Sequence, residues 1–114
     1  MKKITVTLFL FLTLISGCGG NEKPNGLSDE MYESAIYAIK AVDLYLDAES
    51  TIEETKEKLD SILPEYESID EGDSYVWSLI NGLSIDALGI HVGTQDISDL
   101  KNSRDELAKK INYK

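Results

Sequence analysis

The chain holds one cysteine, one histidine, two prolines and two phenylalanines in 114 residues. With a single cysteine, no disulfide can close within the chain. The lone histidine, His91, has no second histidine to join it in a zinc site, and "GCGGN" around Cys18 offers neither His nor Asp. A general base needs a positioned partner, and His91 has none identifiable in the sequence. Its place near a helix C-terminus, where positive charge is favoured, accounts for it. G-x-S-x-G, the P-loop and G-x-G-x-x-G are all missing. Carboxylate pairs abound, but a small helical domain offers little room for a sugar cleft. No enzyme is expected, and no catalytic residue, metal ligand or cofactor is assigned. Basic residues are also scarce, 11 against 21 acidic ones, for a net charge of −10. Nucleic-acid binding needs a basic stripe, and electrostatic attachment to anionic lipid needs the same sign. The charge instead favours encounter with cationic partners.

The first residues carry the clearest signal. Lys2 and Lys3 precede an uncharged apolar run from Ile4 to Ile15. A bilayer span needs about 20 apolar residues, so this run is short for a permanent anchor and suits a signal peptide. It ends in Ile15-Ser16-Gly17-Cys18, which resembles the lipobox of bacterial lipoproteins. The resemblance implies cleavage before Cys18 and acylation of its sulfur. It also implies residence on the extracytoplasmic face of the cell membrane, held in the lipid bilayer by two or three acyl chains. Two chains suffice for stable anchoring where one is marginal. Gly19 is not the Asp that signals inner-membrane retention in enteric bacteria. The expected organisation is residues 1–17 as a cleaved leader, 18–27 as the lipidated cysteine and a flexible tether, and 28–114 as one domain. Losing Lys2 and Lys3 leaves nine basic residues against 21 acidic, a charge of −12. A mature chain of this length buries about two-thirds of its unfolded surface, enough for one core.

Apolar periodicity after the tether is helical throughout, and the expected fold is all-α: an antiparallel four-helix bundle or two packed helical hairpins. The first helix runs from the Ser28 cap to about Glu49, with Met31, Ala35, Ala38, Val42 and Tyr45 on one face. Ser50 and Glu53 match a capping box for the second, whose face is Ile52, Thr55, Leu59 and Ile62 and which Pro64 ends. Glu54–Lys58 and Lys56–Asp60 lie at i, i+4 on its exposed side. The third helix is expected from Ser74 to about His91, capped by Asp73. Asn81-Gly82 is a competing hairpin signal. This helix is apolar nearly all round, with Asp86 its only formal charge, so it should be the most buried, either internally or by another chain. Gly82 and Gly89, with Ser78 and Ser84, are expected to let a neighbouring helix approach. Gly93 stops the helix. The fourth is capped by Asp96 and carries Ile97, Leu100, Arg104, Leu107 and Ile111 on its face, braced outside by Asp105–Lys109 and Glu106–Lys110.

Three residues are candidate partner contacts. Tyr37 and Leu44 share a face of the first helix away from its apolar stripe, and Trp77 lies on the third. Aromatic anchors are enriched at interface centres. The segment 65–73 holds five acids, but lacks the EF-hand spacing that would make it a calcium loop. The reading is a non-enzymatic protein- or peptide-binding module at the cell envelope, engaging an envelope protein or a cationic peptide. A homo-oligomer or accessory subunit, and a small-ligand carrier with a pocket lined by Trp77 and tyrosines, are the alternatives. In size, anchor and charge the chain resembles phage-exclusion and bacteriocin-immunity lipoproteins, in design only.

Overall fold

A computed structural model describes residues 23–113. The leader, Cys18 and the first part of the tether lie outside the described residues. Among the described residues there are four α-helices: α1 (Asp29–Leu46), α2 (Ile52–Ile62), α3 (Ser74–Val92) and α4 (Ile97–Lys110). Two single 3-10 turns, Tyr66–Ser68 and Glu71–Asp73, join α2 to α3. Side-chain contacts set the directions. Trp77 near the start of α3 meets Pro64 just past the end of α2, while Ser84 further along α3 meets Asp60 within α2. Tyr75 at the start of α3 meets Glu106 late in α4, and Asp86 meets Ser103 earlier in α4. Each pair is therefore antiparallel, as short connections require. The bundle has one core, built from Ile39, Val42, Leu59, Ile80, Leu83, Leu100, Leu107 and Ile111 with smaller neighbours.

Local chemistry explains most ends. The Ser28 hydroxyl accepts from the Met31 amide and starts α1. Leu63 sits extended before Pro64, so α2 stops at Ile62. Gly93 adopts φ +85, and the Thr94 amide returns to the Gly89 carbonyl, closing α3 as a left-handed cap. Ala48 and Asn112 serve the same purpose after α1 and α4 with φ near +60 (63 and 61). Asn tolerates this conformation better than Ala. Asn81-Gly82 makes no turn, and α3 runs continuously through it.

Several expectations are corrected. The cap of α2 is Thr51, not Ser50: the Thr51 hydroxyl accepts from the Glu54 amide and Glu54 returns to the Thr51 amide. Two boxes offset by one residue fit "STIEE", and the left-handed turn at Ala48 leaves Ser50 in the connection. Glu54, drawn to its cap, takes no part in a short pair with Lys58. Its carboxyl is held below the usual range, first by the Thr51 amide. Asp73 precedes α3 but makes no side-chain bond to it. Its carboxylate turns to the start of α1. The pairs drawn outside α4 rearrange, since Glu106 and Lys110 both engage Tyr75. Ile97 is exposed because it is the first helical residue and projects beyond the core. Most consequentially, α3 is not the most buried helix: it buries six residues, as α1 does, and leaves Tyr75, Ile85, Leu88 and Val92 exposed.

Candidate functional site

Three consecutive residues define the surroundings of α3. At 100° per residue, Ser84, Ile85 and Asp86 point in three directions. Ser84 reaches α2, donating its hydroxyl to the Asp60 carboxylate. Asp86 reaches α4, accepting from the Ser103 hydroxyl and, at 2.8 Å, from Gln95 Nε2. Ile85 points out between them and is 56% exposed. Leu88 at 44% and Val92 at 59% continue this line at i+3 and i+7, which places them on one outer row. The opposite side of the helix carries the buried Val76, Ile80, Leu83 and Ala87. The fold thus gives α3 two polar edges and a core face, with an apolar strip left over.

The edges are electrostatically settled. Burial against α3 opposes ionisation of Asp60, but bonds from Lys56 at 2.6 Å and from Ser84, with the lysine's charge, outweigh it. The carboxyl is left below its ordinary value. Asp60 is therefore a bridge between helices rather than half of a purely exposed pair. At the α4 end the Ser98 hydroxyl holds the Asp96 carboxyl low in the same way. Gly89 gives no approach to a helix. Its missing side chain makes room for Gln95, which a Cβ there would strike. Gly82 faces open space.

The sequence candidates are placed as follows. Tyr37 and Leu44 lie exposed on the outer face of α1. Trp77 is half-buried, with its indole N–H on the Pro64 carbonyl at 2.8 Å and its ring edge-on to Tyr66 at 5.1 Å. It pins the loop before α3 to the bundle and is not part of the face that holds Tyr37 and Leu44. His91 is exposed on the last turn of α3.

A cleft of about 340 Å³ lies at the opposite end of α3, between the start of α1 and the loop 63–73. Ser28, Met31, Ile62, Pro64, Ile69 and Asp73 are among its walls, which include neither Trp77 nor a tyrosine. Asp73, 5% exposed, accepts from the Ser28 amide at 2.8 Å and from its hydroxyl at 2.7 Å. Both carboxylate oxygens are thus engaged within the protein. Gly72 packs so close to the Gly26 carbonyl that no side chain fits between them, and Leu27 is buried in the core. Beside the cleft, Gly26, Leu27 and Ser28 are clamped to the bundle. Of the five acids in segment 65–73, Asp73 belongs to that clamp and Glu65, Glu67, Asp70 and Glu71 are exposed. Among the described residues no group of three or more His, Cys, Asp or Glu is arranged to hold a metal.

Sequence reasoning missed the α1–α4 clamp. Arg104, on the apolar stripe of α4, forms a fork with Asp43 through Nε at 2.9 Å and Nη2 at 3.0 Å. The bond to Asp43 raises its already high pKa. The only signal was a charge at a stripe position. Tyr32 was missed too: its hydroxyl is buried without a hydrogen bond among the described residues, and burial raises its pKa. Among the described residues no helix is long and apolar enough to cross a membrane. No family model matches the sequence, and no curated protein or solved structure is significantly similar to it.

Proposed function

We propose that this protein is a membrane-anchored, non-enzymatic interaction module at the cell envelope, held by lipid on Cys18 and binding a protein or peptide partner. The observation that carries the reading is the outer row Ile85, Leu88 and Val92, apolar surface that the bundle does not use. A helix that is apolar beyond its core face has that surplus surface available for a partner. The lipobox resemblance supports the anchor. The clamp at Gly26–Gly72 and Ser28–Asp73 supports an orientation: the chain leaves the bundle at the start of α1, so Val92 lies at the far end of α3. An anchored module would then present the row away from the bilayer.

Photo-crosslinking on intact cells tests this. A photoreactive residue is placed at Val92 in one version and at Tyr37 in another, in the lipidated protein and in Cys18→Ala, and captured proteins are identified by mass spectrometry. The expected result is one defined envelope or foreign protein, caught from Val92 by the anchored form alone. Self-crosslinks only, from either position, would overturn the reading in favour of a homo-oligomer.

A further inference from the structure

We infer that the outer row of α3 is a docking site for a cationic amphipathic helix, a peptide segment with apolar residues at helical spacing and Lys or Arg beside them. This rests on the interaction-module reading and names the partner's chemistry. Ile85, Leu88 and Val92 repeat at the i, i+3, i+7 spacing by which one helix receives the anchors of another. The rails on either side are acidic. On α2, Asp60 touches Ser84, and exposed Glu57 and Glu53 stand three and seven residues before it on the same strip. On α4, Ser103 touches Asp86, itself an acid beside the row, and exposed Asp99 stands four residues before Ser103 on the same strip, towards the Val92 end. Each strip also carries a lysine, and both lysines are engaged. Lys56 is paired with Asp60, and Lys110 sits over the Tyr75 ring at 5.0 Å.

An apolar strip between two acidic rails complements a helix whose apolar face is flanked by positive charge. The complementarity supplies specificity and fast association as well as attraction. A second copy of this chain fits badly, because a symmetric contact would set each pair of rails against its own duplicate. Gly82 keeps the row low on the N-terminal side of Ile85: a Cβ there meets nothing within 4 Å, so an approaching helix has clearance.

The test uses the full lipidated chain in zwitterionic nanodiscs, with empty discs as reference. The probe is a labelled Leu/Lys peptide of about 18 residues, five helical turns, with its leucines on one face. The control is its scrambled isomer of identical composition. By fluorescence anisotropy the amphipathic peptide should bind about tenfold more tightly than the scramble. The Ile85→Ser/Leu88→Ser protein should lose about tenfold, with its thermal melt unchanged. Glu57→Lys/Asp99→Lys, or salt raised from about 0.05 to about 0.5 M, should also weaken binding, because exposed charges are screened. Equal binding of both peptides, or indifference to the row substitutions, would overturn the inference and leave only nonspecific attraction to an acidic surface. Row-dependent self-association in light scattering would overturn it in favour of a second copy. The two readings fail separately. A cellular partner caught from Tyr37 and not Val92, with no peptide preference, keeps the interaction module and removes this site. Row-dependent peptide binding with no cellular capture keeps the site's chemistry and removes the cellular reading.

Discussion

Helices α1 and α3 have nearly the same length, 18 and 19 residues, run in the same direction, and bury six residues each. They differ in what they leave outside. The outer face of α1 mixes Glu33 and Lys40 with Tyr37 and Leu44, while α3 shows Ile85, Leu88 and Val92 with no charge among them. Scattered exposed apolar residues are ordinary. A row of three at helical spacing is not explained by packing within the bundle. Apolar content thus sets how much surface a helix has to bury, and the number of neighbouring layers sets how much it can.

The widest test of this contrast compares two leucines on one helix. Leu83 is fully buried and Leu88 is not. Leu83→Ala should cost about 3 kcal/mol in urea unfolding, within the usual span for a buried leucine, whereas Leu88→Ala should fall within about 0.5 kcal/mol of the parent. Equal costs would make the row structural. The link between the two helices comes next. Asp73→Ala removes both acceptors of Ser28 at the shared end of α1 and α3, and should cost about 2 kcal/mol, as expected for bonds to a buried carboxylate. Adding Ser28→Ala should cost less than the separate losses combined, because the two residues act as one unit.

Glycines sharpen the comparison further. Gly82→Ala fills open space on the exposed side of α3 and should stabilise by about 0.5–1 kcal/mol. Gly89→Ala should gain less or lose, since its Cβ displaces Gln95 from Asp86. Acid should produce the smallest and most gradual effect. Asp60, Asp96 and Glu54 are all held below their ordinary pKa values in the fold. Below those ordinary values the unfolded chain takes up more protons than the folded one, so stability falls as pH drops through about 4 and below, and is fully present at neutral pH. A Tm series from pH 7 to pH 3 should decline, and Asp60→Asn should flatten part of it. A Tm that rises on acidification would contradict the bonds drawn to Asp60, Asp96 and Glu54.

Much of the fold was legible because its signals are local. The Ser28 cap, the Pro64 stop and the left-handed Gly93 each act within one turn of the residue itself. The frame of the α2 cap was not, since Ser50–Glu53 and Thr51–Glu54 satisfy the same rule and only the turn at Ala48 selects between them. Asp73 obeyed its local rule in position and departed from it in orientation, because Ser28, 45 residues away, offered two donors at once. The exposure of Tyr37 and Leu44 was readable from their side of the α1 stripe. Trp77 was not recognisable as a loop clamp, because its partner is a backbone carbonyl on another element.

By itself the sequence determined the helical class, the four α-helices of the described residues, most of their ends and the acidic character, all of which depend on composition or on neighbours within a few residues. The tertiary structure alone decided that Arg104 pairs with Asp43 and that Asp73 clamps α1. It also decided that α3, apolar on nearly every side, has a core on one side, a helix at each edge and, among the described residues, nothing on the fourth. Periodicity reports which residues share a face, but burial depends on what stands opposite that face, and contacts between distant segments supply that.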